Sequence, residues 1–320
     1  GRIALENAIP GVETAYWDGV PDNDQVEAAR AIRAIAEDGY DLIVTNSSGH
    51  GPAVITVAPD FPDTQFITIG GDQIADNVST AFGKIEEPRY VSGFLAARMA
   101  TSGNIGFVAA FPIPQVIRGL NAFTLGVQAA NPDARVHVAW TSSWFDPEAE
   151  RAAAESLLEK GAEVIAQHQN TADPLKAAEA AGKYGIGYNV DMSDQAPGAV
   201  LTSAVWNWGT YYIWAVEQIM AGAWQANQYW GSWADGVVDL APLADFVPAD
   251  IAAETNALAD EFRSGSRGIT DMFTGPITKQ DGTDGVPAGS SMTEEEILAM
   301  DWFVAGVEGS ADVEATPTPA

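Results

Sequence analysis

Short apolar runs alternate with longer amphipathic segments along most of the chain. Val26, Ala29, Ile32 and Ile35 recur at the spacing of one helix face. Residues 41–46 follow as a short apolar run flanked by Gly and Ser, which is typical of a parallel strand buried on both faces. The pattern therefore predicts a helix followed by a buried strand.

The same unit recurs through the sequence. The Pro-Asp-Asn-Asp turn at 21–24 supplies N-cap chemistry for the first amphipathic helix. Strands are predicted over 12–17, 41–46, 66–69, 105–109, 135–140, 164–167, 184–187, 200–204 and 237–240. Further helices are predicted over 1–7, 89–100, 114–130, 147–160, 174–182, 211–222 and 248–263. Strands that alternate with helices imply an α/β fold with parallel sheets, and up to ten strands fit two sheets better than one.

Length and charge narrow the class of protein. The 320 residues are about twice the ~150 expected of one domain. With 15 basic and 44 acidic residues the net charge is −29, which disfavours any partner bound through phosphates, nucleic acid included. The sequence has no cysteine, so it predicts neither disulfides nor a zinc–thiolate site, and it favours an extracytoplasmic protein. No apolar run approaches the ~18 residues of a membrane span.

Ligands of open α/β sheets bind beyond the carboxyl ends of the strands, so the loops after the predicted strands are the candidate site. These loops hold aromatic and neutral hydrogen-bonding side chains, two aspartates and almost no Lys or Arg. That composition suits a flat, uncharged ligand such as a nucleobase or nucleoside, and it lacks the basic Gly-rich cradle that phosphates need. The candidate ligand-binding residues are Asn46, Ser47, Ser48, Gly49, Phe111, Trp144, Phe145, His168, Asn170, Tyr188, Asp191, Trp206 and Asn207.

Several of these residues have a purely structural alternative. A Trp or Phe at a strand end can equally be the edge of the core. Asp146, which precedes Pro147, is also a helix N-cap signature, and Asp191 can equally be turn chemistry. The three histidines are too scattered for a standard metal motif, so no metal and no cofactor is predicted.

The catalytic motifs that an enzyme of this class would carry are missing from the sequence. It contains no Walker A loop, no G-x-S-x-G elbow, no H-E-x-x-H helix and no dinucleotide-binding G-x-G-x-x-G after a strand. We therefore expect a binding protein and not an enzyme.

Six short segments together carry a family resemblance: residues 105–119 (IGFVAAFPIPQVIRG), 144–147 (WFDP), 187–193 (GYNVDMS), 201–203 (LTS), 238–242 (VDLAP) and 273–277 (FTGPI). In this order they resemble the basic-membrane-protein (BMP) family, the substrate-binding lipoproteins of ABC transporters. The resemblance covers residues 1–306. It implies the type I periplasmic-binding-protein fold, two Rossmann-like lobes joined by a three-strand hinge that close on a ligand. The lobes are expected at 1–102 and 103–204, with return segments over 205–309 shared between the lobes, mainly the first, and a disordered tail over 310–320.

The resemblance also implies roles for particular residues. Asp191 should bind the ligand, Trp144 and Phe145 fall where the family places a base-stacking aromatic, and residues 46–51 match a ligand-contacting loop of the first lobe. Two features depart from the family: the chain starts after the family's first strand, and Trp206 and Asn207 stand where many nucleoside receptors carry a Lys. The extra aromatic suits a bare purine base, such as adenine, as well as a nucleoside.

These observations together predict a substrate-binding protein of an ABC importer that captures a purine base or purine nucleoside. We expect a monomer outside the cytoplasmic membrane, periplasmic or on the cell surface, with a transporter permease as partner and no nucleic acid. The only membrane attachment expected is a lipid anchor that this sequence does not contain. The alternatives are a sensory ligand-binding module of the same fold, a sugar-binding receptor and a nucleoside-processing enzyme.

Overall fold

The computed structural model describes residues 1–311. The predicted disordered tail lies, from residue 312 onward, outside the described residues. The helices are α1 (Arg2–Ala8), α2 (Gln25–Glu37), α3 (Gly51–Val57), α4 (Glu86–Met99), α5 (Pro114–Ala130), α6 (Pro147–Glu159), α7 (Asp173–Ala180), α8 (Trp208–Met220), α9 (Ala249–Arg263), α10 (Ile269–Met272) and α11 (Glu294–Leu298). The strands are β1 (Leu42–Thr45), β2 (Gln65–Ile69), β3 (Val78–Gly83), β4 (Asn104–Ala109), β5 (Arg135–Trp140), β6 (Val164–His168), β7 (Tyr184–Asn189), β8 (Val200–Trp206), β9 (Gln228–Gly231), β10 (Val238–Leu240), β11 (Ile277–Thr278), β12 (Asp284–Val286) and β13 (Val307–Glu308).

The chain divides into two compact units. Unit 1 comprises Gly1–Lys84, Asn207–Gly231 and Asp235–Val237, and unit 2 comprises the remaining described residues. This division differs from lobes expected at 1–102 and 103–204. Helix α4 lies in unit 2 because it packs closely against α5, with Gly93 and Gly126 at their contact. The return segments are expected mainly in the first lobe, but every described residue after 237 lies in unit 2.

Unit 1 is built on a four-stranded parallel sheet in the order β1-β2-β3-β9. Asp24 caps α2 by accepting hydrogen bonds from the next turn, as the turn sequence predicts. The buried face of α2 is Ala28, Ile32 and Ala36, whereas Val26 is 79% exposed. The core-facing side of this helix is therefore rotated from the face that the apolar spacing indicates.

Unit 2 is built on a seven-stranded sheet in the order β10-β8-β7-β6-β4-β5-β13. The strands run parallel except for β10, which pairs antiparallel with β8. Ala109 at the end of β4 pairs with Trp140 on one side and with His168 on the other. The carboxyl ends of β5, β4, β6, β7 and β8 consequently lie at one edge of the sheet, where the loops that follow them converge.

The prediction of a strand over 12–17 is wrong, because these residues form no regular element. A strand needs a neighbour to accept its backbone hydrogen bonds, and alternation of polar and apolar residues does not provide one. Among the described residues, the structure adds β3, β9 and the short strands β11, β12 and β13. Over residues 1–311 the total of thirteen strands exceeds the expected ten. Strand β3 (VSTAFG) escapes prediction because small and polar residues dilute its apolar pattern.

Within residues 1–311, the longest helices are too short or too polar to cross a bilayer.

Candidate functional site

Five rings line the carboxyl edge of the sheet in unit 2, and we call them the aromatic row. Phe111 and Trp144 lie 5.2 Å apart between ring centroids, and Trp144 lies 5.9 Å from His168. Tyr188 follows at 4.5 Å from His168 and at 6.1 Å from Trp206. Each ring comes from a different strand or the loop after it, so the parallel sheet converts five distant sequence positions into one row.

A chain of amide hydrogen bonds flanks the aromatic row. The Trp206 indole Nε1 donates to Asn189 Oδ1 at 2.9 Å, and Asn189 Nδ2 donates to Asn170 Oδ1 at 2.9 Å. Asn189 has a φ of 71°, in the left-handed region that Asn tolerates better than most residues. Asn189 is not among the candidates predicted from the sequence, although its position directly after Tyr188 at a strand end is a usable signal.

Buried hydrogen bonds connect the loops that carry the row. The carboxylate of Glu150 on α6 accepts from Thr171 Oγ1 at 2.5 Å and from the backbone N–H of Asp146 at 3.1 Å. Asp146 Oδ1 in turn accepts from Ala149 N, so Asp146 is the N-cap of α6. Burial raises the pKa of Glu150, against the opposing effect of these hydrogen bonds. Glu150 therefore ties the loop after β5 to the loop after β6.

Two buried arginines set the electrostatics beside the row. The Arg89 guanidinium carbon lies 4.4 Å from the centroid of the Tyr188 ring, and Arg118 Nε pairs with Glu86 Oε1 at 2.6 Å. Burial lowers the pKa of His168 well below its usual value, and the positive charges of both arginines lower it further. The imidazole is consequently neutral at pH 7. Burial also raises the pKa of Tyr188, so its hydroxyl stays protonated.

Two further predicted residues of unit 2 lie close to the row in sequence but are open to solvent. The Phe145 ring is 66% exposed, so the aromatic pair 144–145 divides into one ring in the row and one outside it. Asp191 is exposed, and its Oδ1 accepts from the backbone N–H of Ser193 at 2.9 Å. This Asx turn occupies one carboxylate oxygen and leaves lone pairs of the carboxylate for a ligand.

The remaining predicted residues belong to unit 1. Ser47 Oγ donates to Asp22 Oδ2 at 2.7 Å, and the carbonyl of Gly49 accepts from Gln25 Nε2 at 2.8 Å. Asn207 uses its side chain on the carbonyl of Gly236 at 2.9 Å. Asn46 and Ser48, by contrast, are exposed. Ser47, Gly49 and Asn207 thus form hydrogen bonds within unit 1 that stabilise the local structure.

His168 gives the stability of the protein a pH dependence of known sign. Below the unfolded pKa of about 6.5, His168 binds a proton in the unfolded chain but stays unprotonated in the folded protein. We expect unfolding free energy to fall by up to about 1.4 kcal/mol per pH unit from this residue as the pH drops below that value. Chemical denaturation of the wild type and His168→Gln at pH 7.5, 6.5 and 5.5 measures the difference.

The control for this comparison is His137→Gln, whose side chain lies on β5 outside the aromatic row. Glu150 acts in the opposite sense, because a carboxyl whose pKa is raised by folding loses stability as the pH rises. The quantity to compare is therefore the difference in pH slope of the unfolding free energy between wild type and variant, because Glu150 contributes to both. Equal pH slopes in the wild type and His168→Gln would contradict the assignment.

In the part of the chain that the structure describes, no three His, Cys, Asp or Glu side chains are grouped so as to hold a metal ion.

Comparison with known proteins decides the family. Residues 1–261 match the family described as ABC transporter substrate-binding protein, PnrA-like. The chain belongs to this family. A purine-binding protein of Brucella abortus (strain 2308) is 36% identical over 297 residues, which cover 93% of this chain and 83% of the relative. A putative ABC transporter glucose-binding protein of Haloferax volcanii is 34% identical, over 81% of this chain and 67% of the relative.

Solved structures agree on the fold. An ABC transporter solute-binding protein from Conexibacter woesei superposes with a TM-score of 0.62 at 26% identity, covering 78% of this chain and 86% of that one. A solute-binding protein from Aeropyrum pernix gives a TM-score of 0.65 at 19% identity, with 76% and 80% covered. This ABC transporter substrate-binding protein therefore has the type I periplasmic-binding-protein fold. Such proteins work outside the cytoplasmic membrane and hand a small molecule to a permease, and the family is not one of enzymes.

Proposed function

We propose that this substrate-binding protein takes a purine base, adenine-like, or a purine nucleoside. The aromatic row is the observation that carries the proposal, because its partly exposed rings, Phe111, Trp144 and Trp206, offer faces that suit a flat heterocycle. The buried rings of His168 and Tyr188 lie behind them. Stacking of a base on an aromatic side chain is worth about 1–3 kcal/mol. The amides of Asn170 and Asn189 and the carboxylate of Asp191 lie beside the row and can read the donors and acceptors of a base. The purine-binding relative from Brucella supports the same ligand class.

The proposed ligand contacts in unit 2 share this edge of the sheet. They are Phe111, Trp144, Phe145, Asn170, Asp191 and Trp206, together with His168 and Tyr188, which are buried and reach a ligand only if the neighbouring side chains move. For the four residues after β1 and for Asn207, a ligand contact stays a sequence-based prediction. Ligand binding stabilises the conformation that the permease recognises, and the protein delivers its ligand in that conformation. We also propose that the protein acts as a monomer, is held at the membrane by a lipid anchor and releases its ligand unchanged.

Asp191→Ala should weaken purine binding by about 1.5 kcal/mol or more, roughly tenfold, because a charge-assisted hydrogen bond to the ligand is lost. Isothermal titration calorimetry with adenine measures the change. Asp194→Ala is the matched control, since Asp194 is an exposed aspartate three residues further along the chain. Unchanged affinity in Asp191→Ala would remove this residue from the site.

A second candidate ligand is a hexose. The relative from Haloferax is a putative glucose-binding protein, and aromatic faces also stack on pyranose rings. A purine fits the row better because the loops carry few of the charged side chains with which sugar receptors grip hydroxyl groups.

A thermal-shift panel with adenine, adenosine, guanosine, inosine, ribose and glucose separates these candidates. A ligand present at about 100 times its dissociation constant adds about 2.7 kcal/mol of stability, which raises the melting temperature measurably. We expect a shift with adenine or a nucleoside, none with ribose, and unchanged ligand when the same samples are examined by chromatography. A shift with glucose alone would favour the hexose, and conversion of the ligand would favour an enzyme.

A further inference from the structure

The guanidinium of Arg89 lies beside the aromatic row and is only 2% exposed. Arg89 stands in the first turn of α4, and its Nη1 donates to the backbone carbonyl of Gln167 at 3.1 Å. Its carbon Cζ lies 4.4 Å from the Tyr188 ring centroid and 5.3 Å from that of Phe107. One side chain from a helix thus contacts the ends of two neighbouring strands, β6 and β7.

Arg89 is buried without an ion pair. Among residues 1–311 no carboxylate oxygen lies within ion-pair distance of it, since Glu86 pairs with Arg118 instead. Its Nε and Nη2 atoms have no hydrogen-bond partner in the described part of the chain. A buried charge of this kind is costly unless something compensates it. Burial lowers the pKa of Arg89, and the faces of Tyr188 and Phe107 together with the more distant charge of Glu86 partly stabilise the cation.

Gly119 on α5 makes room for this arrangement. A β-carbon at that position would come within 3.1 Å of Arg89 Cδ and 3.2 Å of Nε, which is tighter than ordinary van der Waals contact. A larger residue would require the Arg89 side chain to shift by a few tenths of an ångström. The sequence therefore pairs a buried arginine with the glycine that accommodates it.

We propose that Arg89 is a positioning residue of the ligand site, which fixes the Tyr188 ring and the end of β6 so that the aromatic row is in place before the ligand arrives. The inference rests on the proposed function, because it assigns Arg89 to that same site. Arg89 acts through Tyr188 and His168 and does not touch the ligand, since its unpartnered nitrogen atoms are inaccessible from outside. A row that is ordered in advance spares the ligand the entropic cost of ordering it.

The positive charge has a second consequence for the row. His168, which follows Gln167, is held neutral by burial and by the charges of Arg89 and Arg118. The rings packed against His168 are those of Trp144 and Tyr188. Removing the charge of Arg89 should therefore move the His168 pKa upward, and this titration reports on Arg89 without any ligand.

The test compares Arg89→Met, Arg89→Lys and Gly119→Ala with the wild type. In the unliganded protein, NMR follows the Tyr188 ring signals and the titration of His168. In the presence of adenine, calorimetry measures the dissociation constant. We expect Arg89→Met to weaken adenine binding at least tenfold, to shift the Tyr188 signals and to raise the His168 pKa. Arg89→Lys keeps the charge but lacks the planar fork, so it should restore the His168 titration and leave the affinity weakened.

Leu95→Ala is the matched control, because Leu95 is buried on the same helix and its truncation lowers stability without reaching the row. This variant should keep the wild-type affinity and ring signals. Unchanged Tyr188 signals and His168 titration in all three test variants would overturn the proposal. So would an affinity for adenine that matches the wild type in Arg89→Met. If the wild type binds no purine, the proposed function fails, and the ring and titration signals still decide whether Arg89 holds the row.

Discussion

Alanine at Gly93 or at Gly126 is expected to lower the free energy of unfolding by about 3 kcal/mol. The two glycines lie where α4 and α5 meet. A β-carbon on Gly93 would come within 2.1 Å of the Phe123 carbonyl oxygen, and one on Gly126 within 1.9 Å of the Tyr90 carbonyl oxygen. Both obstacles are backbone atoms of the opposite helix, so no side-chain rotation relieves the clash and the helices must separate.

Urea denaturation followed by circular dichroism measures the loss. Gly51→Ala is the matched control, since Gly51 begins α3 and an added β-carbon meets nothing within 4 Å. Alanine is the better helix former, so this control should equal or exceed the wild type in stability. If Gly93→Ala and Gly126→Ala matched the control, the close approach of α4 and α5 would be wrong. The reason for placing α4 in unit 2 would then also be lost.

Replacing Trp144 with alanine should weaken adenine binding by about 1–3 kcal/mol, roughly fivefold to 150-fold. Trp144 is half-buried between Phe111 and His168, so its loss removes a stacking face and opens a gap in the row. Isothermal titration calorimetry gives the change in affinity, and Trp144→Phe should recover much of it because an aromatic face remains.

Trp214→Ala is the matched control for this measurement. Trp214 is an exposed tryptophan on α8 in unit 1, packed against Tyr211 and Trp224 outside the row. It should bind adenine as the wild type does. Should Trp144→Ala also retain full affinity, the aromatic row would not be the ligand platform, and the proposed function would lose the observation that carries it.

The regular elements of unit 2 were predictable because each follows from local chemistry. The range predicted for β5 is the one observed, as is that of α5, whose start is set by Pro114 at its first position. The N-caps Asp24 and Asp146 were equally visible, because a side chain that caps a helix sits within three residues of the N–H groups it accepts from. The carboxyl ends of β7 and β8 lie two residues beyond the predicted ranges, at Asn189 and Trp206, and the predicted loop after β1 belongs to unit 1.

The prediction at 12–17 shows where local pattern stops being sufficient. Whether an extended segment becomes a strand depends on a partner that is distant in the sequence. The same limitation hid Arg89, which looks like one of fifteen basic residues on an acidic chain. The burial of Arg89 against Tyr188 and Gln167 follows from the packing of α4 on the sheet. No residue near Arg89 in the sequence indicates that contact.

The sequence by itself determined the α/β class, the order of the main elements, the family and the loops that could hold a ligand. All of these rest on periodicity, capping and short motifs. Only the tertiary structure decided that the rings of Phe111, Trp144, His168, Tyr188 and Trp206 form one row and that Phe145 lies outside it. The physical reason is that strand order and register set which loops are neighbours, and both arise from pairing between residues far apart along the chain.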